Sequence, residues 1–352
     1  MTVGRRPPVG WYVHHHGAGH VTRFRAVRPH LGGDVVVFSS MPRPADLPAR
    51  TEWVVLPRDD DATPGPDGLA SPGDADPTAG GLLHWAPLGH PGHTSRLATI
   101  ASWIGEHRPA AFVVDVSAEV TLLVRLLGVP PVTFTQPGER VDGPHRLAFD
   151  AAARVVAPWP AGVHRSAALD RVADRVRHVG GISRFDGRAV RDAARSGPQG
   201  GLSVVVLASG GTGGAGSAAE DVAAASAATP DARWTLVGAG GHDWVDDPWS
   251  LLVDADVVVT AAGQNSVADL AAVGARAVVV PQDRPFDEQR ATGRALAEAG
   301  LAVVADAWPS PDAWPDVLRR AAALRPDWDR WQVAGAAARA AAVVEEVASW
   351  RR

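Results

Sequence analysis

The feature that most constrains this chain is an alternation of short apolar runs with helix-forming stretches that starts, breaks off and starts again. In the first half, strands are predicted at Trp11–His16, Asp34–Phe38, Glu52–Leu56, Ala111–Val116, Pro131–Thr135 and Arg154–Ala157, with helices at Val21–Pro29, Thr94–His107 and Glu119–Leu127. In the second half, strands are predicted at Leu202–Ala208, Arg233–Val237, Val257–Thr260, Ala277–Val280 and Leu301–Val304. Helices follow at Ser217–Ala227, Asn265–Val273, Glu288–Ala299 and, rich in alanine, Trp328–Trp350. Strands separated by helices form parallel sheets with both faces covered. The expected fold class is α/β: two Rossmann-like parallel-sheet domains facing across a cleft. The divisions are 1–178 and 202–327, a Gly- and Arg-rich linker at 179–201, and a final segment 328–352 whose helix crosses back to the N-terminal domain.

Composition narrows the chemistry. A chain of 352 residues suits two domains, and 46% hydrophobic with 21% charged residues suits a water-soluble one. No apolar run approaches the ~20 residues of a membrane span, and the first ten residues do not read as a signal peptide. The expected location is cytoplasmic, with peripheral membrane association left open. A net charge of −5 gives no reason to expect a nucleic-acid partner. The absence of cysteine excludes thiolate catalysis, Fe–S clusters and Cys-ligated zinc. Lysine is absent too, since all 34 cationic side chains are arginine, which removes Schiff-base chemistry and the Walker P-loop. The stretch Arg58–Gly81, almost without apolar residues, reads as a mobile loop.

Three stretches carry candidate chemistry. "ASGGTGGAGS", Ala208–Ser217, joins a predicted strand to a helix, where the backbone of Ser209, Gly210, Gly211 and Thr212 can approach an anion. Within Asp254–Gly300, a buried strand runs through Gly263 and Gln264 into a helix opening with Asn265 and Ser266, a second anion site. Asp269 stands one turn in, placed to accept bonds from vicinal hydroxyls such as those of a ribose. Asp283, Asp287, Glu288 and Gln289 follow the next strand and can bond sugar hydroxyls. Helix-start charge and solvated surface explain the same acids without a ligand. The third stretch, "YVHHHGAGHVTR", Tyr12–Arg23, packs four histidines and two glycines into twelve residues. His14 and His16 alternate with His15 along a predicted strand, so a set of about three convergent zinc ligands is not formed, and no metal site is expected. His84, His90 and His93 either touch an acceptor or lie on the surface.

Gly263-x-Asn265-Ser266-x-x-Asp269, then Pro281, then Glu288-Gln289, resembles the donor-binding region of GT-B glycosyltransferases, notably family 1 and the peptidoglycan GlcNAc transferase of family 28. The resemblance implies that Ser266 and nearby amides hold a donor pyrophosphate, Asp269 the nucleotide ribose, and Glu288 and Gln289 the donor sugar. Two departures stand out: Ala261 replaces a histidine common in family 1, and Asp269 is one methylene shorter than the usual glutamate. The loop with Gly17 and Gly19 is similar to the glycine-rich loop of these enzymes, often with a histidine matching His20. An imidazole there can take a proton from an acceptor hydroxyl, and Asp115, ending "AFVVD", is the candidate to orient it.

The activity so implied is an inverting, metal-independent transfer of a sugar from a UDP or dTDP type of nucleotide sugar to an acceptor hydroxyl or amine. The nucleotide sugar is a co-substrate; no cofactor is expected, and the acceptor is a small molecule, a glycan or a lipid-linked molecule. "GAGHVTR", Gly17–Arg23, also looks like the opening motif of nucleotide-sugar hydrolases of nonulosonic acid pathways, where His20 would activate water. Nucleotide-sugar 2-epimerases share the architecture without a matching donor loop, and a nonenzymatic sugar-nucleotide-binding protein is the other alternative. Neither glycine cluster shows the G-x-G-x-x-G pattern with a later strand-ending acid expected of a dehydrogenase.

Overall fold

The computed structural model of the chain describes residues 6–65, 68–189, 201–208, 215–238 and 245–350. The N-terminal unit contains β1 (Val9–Tyr12), α1 (Gly19–Val27), β2 (Val35–Ser39), β3 (Thr51–Val55), the hairpin β4 (Thr63–Gly65) and β5 (Gly68–Ala70), α2 (Pro91–His107), β6 (Ala111–Asp115), α3 (Ala118–Leu126), β7 (Pro131–Phe134), α4 (Gly143–Ala151), β8 (Arg154–Ala157), α5 (Ala167–Asp170) and β9 (Val176–His178). Seven strands form one parallel sheet in the order β3-β2-β1-β6-β7-β8-β9. The order reverses between β1 and β6, and parallel sheets open a crevice beyond the carboxyl ends of such a pair.

The C-terminal unit contains β10 (Leu202–Leu207), α6 (Ala215–Ala228), β11 (Ala232–Val237), α7 (Trp249–Asp254), β12 (Val257–Thr260), α8 (Gln264–Val273), β13 (Ala277–Val279), α9 (Glu288–Glu298), β14 (Val303–Val304) and α10 (Trp314–Ala323), ending with α11 (Ala336–Ser349). Its sheet is parallel, in the order β11-β10-β12-β13-β14, with the reversal between β10 and β12. Both sheets are as the apolar runs imply: every residue of β2, β6, β7 and β12 is buried.

The end of the chain returns to the N-terminal unit. Ala336, Ala337, Ala340, Ala341, Val344 and Val347 of α11 lie in one core with Trp11, Phe24, Val113 and Phe134. Small side chains at that helical spacing let α11 approach closely, and Trp11 stacks on Phe134 at 5.9 Å and meets Phe24 edge-on at 5.1 Å. The alanine-rich helix expected from Trp328 is broken: a 3-10 turn, Trp328–Trp331, precedes Gln332 and Gly335 with φ of 53° and 73°. The break is where this segment passes between the units. It runs beside the earlier crossing, with Gly181 N–H donating to Trp331 O at 3.0 Å and Arg339 Nε–H to Val179 O at 2.9 Å. A Cβ on Gly181 would sit 2.4 Å from the Trp331 ring, so the two crossings touch because this position has no side chain. Residues 190–200 of the linker region lie outside the described residues.

The segment after β3 departs from the expected loop without structure. It carries the β4–β5 hairpin, and its first acid, Asp59, is buried against Arg96. Apolar content was the wrong guide there, because Asp59 is anchored by ion pairing rather than by hydrophobic burial.

Candidate active site

The loop after β1 and the end of β6 meet at the first switch point. His20, in the first turn of α1, places Nδ1 3.1 Å from Asp115 Oδ2, with the ring turned off the ideal hydrogen-bond line. Catalytic hydrogen bonds commonly tighten only when substrate is bound. Arg23, one turn along α1, donates from NH1 to Asp115 Oδ1 at 2.6 Å. Asp115 is fully buried; burial pushes its carboxyl up, but Arg23 and His20 outweigh that and hold it below its ordinary range. Val116, directly after it, has φ of 66°, a conformation that costs a β-branched residue energy. That kink precedes Ser117, whose hydroxyl caps α3 by accepting from Val120 N–H at 3.2 Å.

The second unit faces this pair with the start of α8. Gly263 is the N-cap and offers no side-chain acceptor, so the first-turn amides are not capped by a side chain. Arg23 NH2 donates to Gln264 Oε1 at 2.7 Å, and Asn265 Nδ2 donates to Gly19 O at 2.7 Å. A Cβ on Gly19 would lie 3.3 Å from Asn265 Nδ2, while Gly17 has φ of 84° in open space. Ser266 is half-buried in the same turn.

The other expected donor residues fall differently. Asp269 is buried, and its two oxygens accept from Ser183 Oγ at 2.6 Å and Arg184 Nε at 3.0 Å. Burial pushes this carboxyl up despite Arg184. Each oxygen thus holds a bond to the interdomain crossing, a tie that the sequence did not indicate. Gln289 Oε1 accepts from Ala262 N–H at 3.2 Å and Gln282 N–H at 2.8 Å, tying the ends of β12 and β13 together. Glu288 faces the cleft. Burial pushes its carboxyl up, opposed first by Arg140 at 3.4 Å, then by Arg23 and His20. Asp283 and Asp287 pair with Arg290 and Arg294 at the surface. Ser209, Gly210, Gly211 and Thr212 lie outside the described residues.

Composition did not single out a second interdomain contact. Phe286 O accepts from Glu139 N–H at 2.7 Å, and the Phe286 ring lies 4.7 Å from the His145 ring, 5.5 Å from His84 and 5.1 Å from the Arg140 guanidinium. Asp142 accepts from His84 Nε2 at 2.6 Å and from His145 Nδ1 at 2.5 Å, while Arg140 NH1 donates to His145 Nε2 at 3.0 Å.

The strand ends at Tyr12, so the expected alternation of His14, His15 and His16 does not apply; the three rings instead cluster in the loop. Nε2 of His15 and of His16 lie 3.3 and 3.0 Å from Asp60 Oδ2. A second group, His84, Asp142 and His145, also brings ligand-type atoms within 4.8 Å of one another. At the first group Arg58 NH2 already sits 2.6 Å from the same Asp60 oxygen, where a cation would meet like charge.

Two parallel-sheet units meeting at their switch points, one presenting a histidine–carboxylate pair and the other an uncapped helix start, define the class as GT-B glycosyltransferases. Residues 242–310 match the glycosyltransferase family 28 C-terminal domain. Over 262 residues the chain is 31% identical to the UDP-N-acetylglucosamine--N-acetylmuramyl-(pentapeptide) pyrophosphoryl-undecaprenol N-acetylglucosamine transferase of Rubrobacter xylanophilus, covering 64% of this chain and 75% of that one. The chain belongs to this family of sugar-transferring enzymes. Its fold is similar to the glycotransferase of kitacinnamycin, with a TM-score of 0.65, 18% identity and coverage of 97% and 99% of the two chains. It is also similar to the spinosyn rhamnosyltransferase SpnG complexed with thymidine diphosphate, with a TM-score of 0.55, 17% identity and coverage of 97% and 96%. Among the described residues no helix is long and apolar enough to cross a membrane.

Proposed function

We propose that this glycosyltransferase acts by inversion and without a metal, moving a sugar from a UDP or dTDP type of donor to an acceptor hydroxyl or amine, with His20 as general base. The observation that carries this reading is the 3.1 Å approach of His20 to Asp115 opposite the start of α8. A neutral imidazole takes the acceptor proton as the oxygen or nitrogen attacks the anomeric carbon. Attack from the side opposite the leaving diphosphate inverts that centre. The amides at the start of α8, with Ser266, stabilise the departing phosphate charge. Asp115 stabilises the imidazolium, and Arg23 holds Asp115 while reaching across to Gln264, which joins the proton-transfer pair to the donor-binding unit. The names of the R. xylanophilus relative and of the SpnG complex, one with a UDP sugar and one with thymidine diphosphate, support a pyrimidine diphosphate donor.

The test is thermal stabilisation by a panel of nucleoside diphosphates and their sugars, followed by transfer assays in EDTA. UDP or dTDP should raise the melting temperature, since a ligand that binds only the folded state stabilises it. Transfer should persist in EDTA. A requirement for added divalent metal would overturn the mechanism, and release of free sugar at full rate without an acceptor would favour the hydrolase.

A further inference from the structure

A cleft of ≈ 220 Å³ opens in the N-terminal unit beside the His20 loop, lined among others by Tyr12, His15, Asp60, Trp85, Arg96 and Glu119. It lies next to the base: the His15, His14 and His20 rings step toward the interdomain cleft at centroid separations of 5.1 and 5.7 Å. The volume is below the roughly 300–1,000 Å³ of pockets that enclose whole drug-sized ligands, so it suits one ring.

Its charges are arranged against an anion. Arg96 is consumed by Asp59 and by the Tyr12 hydroxyl, which accepts at 2.9 Å, and Arg58, outside the lining, by Asp60 and Asp61. Glu119 accepts from the His84 and Trp85 backbone N–H groups at 2.7 and 3.2 Å. Five buried polar atoms of the lining have no hydrogen-bond partner among the described residues. Arg96 NH1 and Asp59 Oδ1 are ion-paired to each other and His93 Nδ1 lies 3.7 Å from Asp59 Oδ2, which leaves Asp60 Oδ1 and His15 Nδ1. The His15 side chain is only 4% exposed. Burial lowers its affinity for a second proton. Since Nε2 must donate to the Asp60 carboxylate, Nδ1 keeps its lone pair. These two remaining atoms are therefore acceptors, and a buried acceptor left unpaired costs ~1–3 kcal/mol.

Building on the transferase reading, we infer that this pocket holds the acceptor, and that the acceptor is a ring-sized molecule with a protonated amine at the Asp60–His15 end and a hydroxyl at the His20 end. A phosphate-bearing acceptor would face Asp59, Asp60 and Glu119 with no uncommitted cation to receive it.

The test is equilibrium binding of three matched probes, 2-deoxystreptamine, myo-inositol and myo-inositol 1-phosphate, followed by saturation-transfer NMR, with UDP- and dTDP-induced thermal shifts recorded on the same samples. The aminocyclitol should bind at least tenfold more tightly than the neutral ring, and the phosphate more weakly than either. Asp60→Asn should remove at least fivefold of the amine preference while leaving the nucleotide shift in place. His15→Phe should do likewise, and serves if Asp60→Asn fails to fold. Phosphate binding equal to that of the amine, an amine preference unchanged in a folded variant, or no binding of any probe would overturn the inference. Loss of the nucleotide shift with the amine preference intact would instead count against the donor reading.

Discussion

His20 and Asp115 meet at 3.1 Å across the ends of β1 and β6, although 95 positions of sequence part them. The sheet brings them together, because the switch point sets the loop after one strand beside the end of the other. If His20 moves the acceptor proton, His20→Ala lowers turnover roughly a hundredfold or more, the usual scale for acid–base catalysis. Asp115→Asn lowers it by a smaller factor, because the carboxylate supports the ring without transferring the proton. Nucleotide affinity, measured on the same folded variants, should stay within about threefold of the parent value, since the helix start lies on the other unit. A His20→Ala enzyme with normal turnover would assign the ring to loop shape alone.

Asp269 anchors the first crossing between the units to α8 through Ser183 and Arg184. Removing a buried acceptor from two donors costs about 1–3 kcal/mol. For units of this size, that corresponds to a fall of roughly 2–10 °C in melting temperature. Asp269→Ala is therefore expected to lower stability while changing nucleotide affinity less than threefold. Calorimetry and nucleotide titration of the same protein check it. A stable variant with tenfold weaker binding would restore the ribose contact.

Much of this architecture was legible. Apolar runs such as Ala111–Val116 and Val257–Thr260 are buried on both faces, so periodicity and length mark them within a residue or two. The helix start at Asn265 was legible because glycine and small residues must separate a buried strand from its helix. Other features were not. The bond from Ser183 to Asp269 was not, because the two lie 86 positions apart and only the path of the crossing brings them together. The Phe286 contact was hidden for a similar reason: Phe286 and Asp287 take φ of 63° and 57°, conformations that no glycine announces. Asp59 was misread because a segment poor in apolar residues can still be fixed by one buried ion pair.

Acid should loosen the contact around Phe286. His145 is held down to about 4, first by burial and then by Arg140, with its bond to Asp142 opposing; His84 and Asp142 are its other titratable neighbours. Its unfolded value is about 6.5, so the folded state disfavours the proton. Stability from this group is fully present above pH ~6.5 and is lost as pH falls from there toward 4. Protonation also turns the Arg140–His145 hydrogen bond into repulsion. Glu288, pushed up by burial, acts in the opposite sense, since its neutral form is favoured in the folded state. The difference between the parent protein and His145→Gln isolates the histidine. Melting temperatures across pH 4–7 should converge with the variant's as pH falls; parallel curves would remove His145 from the contact.

Gly138 gives a cleaner handle on the same closure. Its φ is 102°, and a Cβ there would lie 2.1 Å from Phe286 O, a backbone atom that cannot swing away. Gly138→Ala must therefore separate the 138–139 turn from the 286–288 loop, breaking the Glu139–Phe286 hydrogen bond and drawing Arg140 off Glu288. Gly162→Ala is the matched control: its φ is 80°, yet nothing lies within 4 Å of the added carbon. Both substitutions carry backbone strain of roughly 1–3 kcal/mol, and only the first disturbs the interdomain contact. Transfer by Gly138→Ala should fall at least tenfold, with a larger radius of gyration in solution scattering, while Gly162→Ala keeps parental turnover and shape. Equal turnover in the two variants would show that closure at Phe286 does not limit the reaction.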